Sequence, residues 1–332
     1  MRADQLLSIV TVSLGLVFLP TYQFNQPAAS VPLTWAYPTV PVAPIPVLYQ
    51  KRVPLPQTAS ASAVARFPST QKLHAESDVF VATLSAQAVY VMDVPSASQL
   101  LAKDEQLLYY PASTAKLMTA LVVLDTYTVD EVVTVPAELK VEGTVLGLKT
   151  GEQLTVRSLL SALLIHSAND AAQVLAAHHP QGEAAFIRAM NDKAKALHLT
   201  QTRFENASGL DSAQQQTTAR DLALLAREVM KVPLLTEVVG QPRVSISDEA
   251  ETITHLLFST NQLLGVLPGI KGVKTGTTDL AGEVLVTQYE RDGREILIVI
   301  MGSQNRYGDT QAIINWIFNH YQWTTAPSGT LK

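Results

Sequence analysis

The 332-residue sequence contains no cysteine. That excludes disulfides, thiolate nucleophiles and cysteine-ligated zinc, and it suits a cytosolic or an exported protein equally well. Positive charge is also short: 24 Lys and Arg stand against 29 Asp and Glu, for a formal net charge of −5. No basic surface follows from that balance, so nucleic acid is not an expected partner. The seven histidines include one adjacent pair, His178-His179, and no His-Glu-x-x-His pattern. They read as structural, and neither a metal nor a cofactor is expected. A Gly-x-Ser-x-Gly elbow is missing too, which removes one common way of presenting a serine nucleophile.

The N-terminus carries the longest leader-like feature. After Met1-Arg2-Ala3-Asp4 an apolar run extends from Leu6 to Leu19 and stops at Pro20. It falls short of the ~20 residues of a membrane span but suits the core of a secretory signal. Residues 1–24 are therefore expected to be a signal peptide or, if uncleaved, an N-terminal membrane anchor. Small residues at Ala28-Ala29-Ser30 offer a cleavage site. Prolines then recur through residues 25–75, as in "YPTVPVAPIPVLYQ". Each fixes φ and removes a donor, so an extended linker is expected there.

With 47% hydrophobic residues the remainder can build a large core. "DVFVATL" and "AVYVMDV" read as two strands of a hairpin, starting near Ser77. Helical patterns follow at Ser113 to Tyr127, Val156 to Ala177, Glu183 to Leu197 and Ala219 to Lys231. Two late strands, "GEVLVTQYE" and "REILIVIMG", precede a last helix from Asp309 to Tyr321. Strands at both ends with helices between them predict an α+β domain over residues 76–323, its sheet closed by distant parts of the chain. Residues 324–332 form a short polar tail.

Three stretches carry chemistry. "YYPASTAKLMTALVVLD" sets Ser113 and Lys116 three apart at a helix entrance, where i and i+3 share a face. A hydroxyl needs such a neighbour to become a nucleophile. "LLIHSANDAAQVLA" interrupts an apolar segment with Ser167, Asn169 and Asp170. A turn with a helix cap would explain those residues structurally. Lys-Thr-Gly occurs twice, at Lys149 and at Lys274. A strand edge is the useful setting, because its free backbone can pair with an extended peptide. "GIKGVKTGTTDLAGEVLV" lies among the late strands, whereas "LGLKTGEQLTVRSLL" has Glu152 after its glycine and runs into a helix. Lys274-Thr275-Gly276 is thus the functional copy, and the one at Lys149 is a turn.

Ser-x-x-Lys, Ser-x-Asn and Lys-Thr-Gly in this order resemble the penicillin-binding proteins and serine β-lactamases. Four stretches, "YPASTAKLMTAL", "LLIHSANDAA", "FENASGLD" and "STNQLLGVLPGIKGVKTGTTDLAG", are most similar to the D-alanyl-D-alanine carboxypeptidases, the low-molecular-mass penicillin-binding proteins. The resemblance spans about Asp78 to Trp323. Two positions depart from the family's usual pattern: Ala168 stands where glycine is common, and Thr277 where a bulkier residue is common.

The resemblance implies a β-lactamase/transpeptidase-like fold, an antiparallel sheet flanked by helices with an inserted helical subdomain. It implies a serine peptidase whose substrates are peptidoglycan stem peptides ending in D-Ala-D-Ala, and β-lactams as covalent inhibitors. Ser113 would be the nucleophile, Lys116 its base, Ser167 a proton carrier and Asn169 a ligand for the substrate amide. Lys274 would supply a second positive charge. Backbone N–H groups of Ser113 and Thr277 would form the oxyanion hole, with Gly276 in the strand between. Thr275 and Thr278 would bind the terminal carboxylate, with Arg306 as a further candidate. A serine β-lactamase is the alternative, although no Glu-x-x-x-Asn loop is present to activate water. A non-catalytic penicillin- or wall-binding module is another.

Overall fold

The computed structural model describes residues 66–68, 74–137, 139 and 141–325. The leader over residues 1–24 lies outside them, as do residues 25–65 of the expected linker and 326–332 of the tail. In chain order the elements are β1 (Arg66–Pro68), α1 (His74–Val81), β2 (Ala88–Asp93) and β3 (Gln99–Lys103). A 3₁₀ turn (Ala112–Ala115) leads into α2 (Lys116–Thr126), followed by β4 (Val132–Thr134) and β5 (Gln153–Thr155). Five helices come next: α3 (Val156–Leu164), α4 (Asn169–Ala177), α5 (Glu183–Ala196), α6 (Ala219–Met230) and α7 (Pro233–Val239). The chain continues with β6 (Arg243–Ser247), β7 (Thr254–Phe258), β8 (Ile270–Thr278), β9 (Gly282–Arg291) and β10 (Arg294–Ser303). It closes with α8 (Arg306–His320) and β11 (Trp323–Thr325).

The central sheet is antiparallel with strand order β3-β2-β10-β9-β8. Early and late strands meet in its middle, where Asp93 pairs with Ile296 and Ala88 with Met301. Both faces of that middle are covered. On β2, Ala88, Tyr90 and Met92 point into one core and Val89 and Val91 into the other. On β10, Leu297, Val299 and Met301 join the first core, and Ile296, Ile298 and Ile300 the second. This explains why these strands read as unbroken apolar runs rather than as alternating ones. The first core lies under the inserted helices α2 to α7, and the second under α8.

Local chemistry sets the helix starts. Thr155 accepts from Ser158 N at the head of α3, Thr218 from Asp221 N at α6, and Asn305 from Gly308 N at α8. Pro233 opens α7, where a missing N–H costs nothing.

Three expectations are corrected. "DVFVATL" belongs mostly to helix α1 and not to a strand. Its exposure repeats every three to four residues: Val79 is 72% exposed, whereas Val81 and Leu84 are buried and Phe80 stacks on Trp316 at 5.1 Å. Strand β2 therefore pairs with β3 and not with the segment before it. The segment from Val156 to Ala177 forms two helices, broken at Ser167, whose φ is +63°. The boundaries at 76 and 323 also shift. Arg66, Phe67 and Pro68 of the expected linker pair with Thr325, Thr324 and Trp323, so both ends of the domain close on each other.

Candidate active site

Ser113 sits on the 3₁₀ turn and is partly exposed, although its neighbours Ala112, Thr114, Ala115 and Lys116 are buried. Ala112 has φ +48°, a strained conformation for a residue with a side chain. Two glycines from distant segments let the backbone close round that turn. A Cβ on Gly209 would lie 1.9 Å from the Ala112 carbonyl oxygen, and one on Gly276 would lie 2.8 Å from the Ala112 Cβ. Gly276 thus brings strand β8 against the Ser113 backbone, which a side chain would prevent. β8 is also the edge of the sheet.

Lys116 is completely buried, with all three donor directions used. Its Nζ donates to Ser113 Oγ at 2.7 Å, to Asn169 Oδ1 at 2.6 Å and to the Ser208 carbonyl at 2.5 Å. Asn169 is held in turn by its Nδ2, which donates to the Glu142 carbonyl at 2.6 Å. Lys274, on β8, is buried as well; its Nζ donates to Ser167 Oγ at 2.8 Å and to the Thr275 carbonyl at 2.9 Å. Each of the two hydroxyls is thereby in contact with one buried lysine.

No carboxylate hydrogen-bonds to either ammonium among the described residues. Burial without an anionic partner disfavours the charged form. Loss of solvent pushes Lys116 well below its ordinary value, the Lys274 charge adds to that, and Asp170 partly opposes it. Loss of solvent brings Lys274 down to about 7, helped by the Arg306 charge. A buried lysine whose proton is held less tightly than usual, in contact with a serine hydroxyl, is the arrangement that a general base beside a nucleophile requires.

A family model described as D-alanyl-D-alanine carboxypeptidase, peptidase S11, matches residues 72–305. The chain belongs to the D-alanyl-D-alanine carboxypeptidase family. It is therefore a serine peptidase of the penicillin-binding protein fold. A D-alanyl-D-alanine carboxypeptidase of Mycobacterium tuberculosis is 33% identical over 243 residues, 70% of this chain and 82% of that protein. A carboxypeptidase of Bacillus subtilis is 29% identical, and the chain spans only 57% of its length. Among solved structures, penicillin-binding protein D2 of Listeria monocytogenes in its ampicillin-bound form is 31% identical. Its TM-score is 0.63, with 71% of this chain and 98% of that one covered.

Other expected residues of this carboxypeptidase-family chain gather at the end of β8. Arg306 donates through one terminal nitrogen to the Gly276 carbonyl at 3.0 Å and to Thr277 Oγ1 at 2.8 Å. Its Nε is buried without a partner. Thr275 shares a hydrogen bond with Thr260 at 2.5 Å. The Thr278 hydroxyl donates to Asp211 Oδ1 at 2.7 Å and accepts from Ala281 N, so its proton already serves a turn.

The Lys149 copy is a turn: Glu152 N donates to the Lys149 carbonyl and Lys149 N to Glu152 Oε2, both at 2.9 Å. Glu152 is buried and meets His255 Nε2 at 2.6 Å, so it is not presented to any cleft. The polar run after His166 is not a helix cap, because Ala168 caps α4 with no side-chain bond. Asp170 instead accepts from the backbone N–H groups of Leu146, Gly147 and Leu148, tying that loop to the site.

Sequence reasoning passed over Ser208, Asp211 and Thr260. The first two lie in or beside "FENASGLD" and the third in "STNQLL", both quoted for their resemblance. Ser208 acts through its backbone carbonyl, so its side-chain type carries no signal. Alongside runs a groove of 590 Å³, lined by Glu142, Asn169, Glu183, Asn206, Ser208 and Leu210 among others.

Proposed function

We propose that this chain removes the terminal D-alanine from peptidoglycan stem peptides ending in D-Ala-D-Ala, through an ester on Ser113. The observation that carries the reading is the fully buried Lys116, its Nζ 2.7 Å from Ser113 Oγ and depressed by burial and by Lys274. Neutral Lys116 takes the Ser113 proton as Oγ bonds to the carbonyl carbon of the penultimate residue. The carbonyl oxygen gains the negative charge, and backbone N–H groups of Ser113 and Thr277 stabilise it. Collapse breaks the C–N bond, and the leaving amine receives a proton by way of Ser167. Water then cleaves the ester and regenerates Ser113. Asn169 and the edge of β8 hold the peptide in an extended form. Arg306 and Thr275 meet its terminal carboxylate, and Thr278 contributes by fixing Asp211 and the turn after β8.

β-Lactams acylate the same hydroxyl in this reading. The Leu6 to Leu19 leader supports action outside the cytoplasm, with attachment to the membrane if the leader is retained. No helix among the described residues is long and apolar enough to cross a membrane.

The test is covalent labelling with a fluorescent penicillin, combined with D-alanine release from a D-Ala-D-Ala-terminated peptide. The parent should label and release D-alanine, and Ser113→Ala should do neither while keeping its thermal midpoint. An alanine protein that still forms a stable adduct would assign the nucleophile elsewhere. Rapid loss of label from the parent would point to a β-lactamase.

A further inference from the structure

Away from the Ser113 site, a second groove of 540 Å³ gathers positive charge in a chain whose net charge is −5. Arg188, Asn191 and Lys195 of α5 line it at spacings of three and four residues, one face of the helix. Thr202 and Arg203 line the facing side. Arg188 and Arg203 are exposed, and neither guanidinium has an ion-pair or hydrogen-bond partner among the described residues. Lys195, by contrast, pairs with Asp192 at 3.0 Å. The one carboxylate in the lining, Glu205, accepts from Ser212 Oγ and from Gln214 N.

The backbone segments that carry the two arginines are tied together. Asn191 Nδ2 donates to the carbonyls of Ile187 and Phe204, and its Oδ1 accepts from Phe204 N. Arg203 exchanges both backbone bonds with Gln216. A single side chain thus clamps the segment carrying Arg203 onto the helix carrying Arg188. The Arg203 charge is felt by Glu205, but that carboxylate is bonded to Ser212 and Gln214, so two planar forks on tied backbone segments remain open to an oxyanion of phosphate or carboxylate type.

The groove is also close to the reaction. The segment that leaves it at Phe204 and Glu205 reaches Ser208, whose carbonyl receives Lys116. Five residues span at most about 17 Å even when fully extended.

We propose that Arg188 and Arg203 form an anion site that holds an oxyanion-bearing wall polymer while its peptide end occupies the cleft at Ser113. The polymer's role rests on the function proposed above; the anion site itself does not.

The full chain is compared with an Arg188→Gln/Arg203→Gln double variant in binding to poly(glycerol phosphate) and, separately, to poly-γ-glutamate, at low and at physiological salt. D-alanine release from a short, uncharged D-Ala-D-Ala peptide is measured alongside. The parent should bind one of the polymers, and the variant at least tenfold more weakly, with release from the short peptide changed less than about twofold. The polymer that is lost identifies phosphate or carboxylate as the source. Lys195→Gln should weaken binding less, because Asp192 already occupies that ammonium. Equal binding by parent and variant overturns the proposal, as does a parent that binds neither polymer. Loss of release from the short peptide would also overturn it, by making the arginines part of the cleft. A parent that binds through the arginines but releases no D-alanine leaves the anion site supported and sinks the carboxypeptidase reading instead.

Discussion

Lys116 could not be replaced by arginine on chemical grounds, because a guanidinium keeps its proton at any physiological pH. The same holds for the alkyl stem that lets its ammonium withdraw from water entirely, with Ser113, Asn169 and Ser208 as its contacts. Lys274 lowers Lys116 further and also reaches Ser167, so its removal acts on both hydroxyls. Lys274→Ala should therefore lower the rate of penicillin acylation by about 10²-fold or more, in the range for loss of one preorganised electrostatic partner. Lys149→Ala, on the turn, should change it less than about twofold. Stopped-flow labelling of the two variants decides the matter, and equal effects would reverse the assignment of the two Lys-Thr-Gly copies.

Among the elements, β1 is the one whose contribution is most easily separated. It is three residues long and pairs only with β11 among the described residues. A chain starting at residue 70 loses that pairing. Net backbone hydrogen bonds worth about 1–2 kcal/mol should lower the thermal midpoint by roughly 2–6 °C relative to a chain starting at Ser60, as seen by calorimetry. An unchanged midpoint would make the pairing dispensable. Helices α2, α5, α6 and α8 and strands β2, β9 and β10 were legible because their periodic or unbroken apolar runs are long enough to read alone, whereas α7 carried no such signal and α3 and α4 read as one helix. α1 was not legible, since Val79, Phe80 and Val81 offer a β-rich triplet whose helical face shows only once Trp316 is placed against it. β1 and β11 were hidden for another reason: each is too short to carry a pattern, and Pro68 argues against a strand unless its neighbour lies on one side only. In the site, the side chains proposed to act directly were marked by motif. The contributions of Ser208 and Glu142 are carbonyl groups, which every residue has, and Asp211 and Thr260 become visible only when separate segments converge on β8.

Across the whole molecule the buried lysines should leave a signature in stability against pH. Lys274 titrates near 7 in the folded chain and near 10.5 unfolded, so the unfolded state holds more protons between those values. Stability from this group is fully present above about 10.5, declines as pH falls, and is gone below about 7; Lys116 acts in the same direction. Tyr127 runs the other way, raised by burial and by Glu131 from 10.0 to about 12, and it withdraws stability as pH rises between those values. Denaturant midpoints should thus climb from pH 7 towards 10 and then turn over. Lys274→Met should flatten the climb, and a slope unchanged by that substitution would remove Lys274 as its source. The pairing of β2 with β10 has a consequence in time as well. At 5–20 residues per second, the roughly 200 residues between these partners take on the order of 10–40 s to synthesise. For most of that interval, from Lys116 to Ile270, the nascent chain holds Ser113 and Lys116 but has no β8 to close on them. A growing copy is thus chemically idle until β8 has been made and has folded against the Ser113 turn.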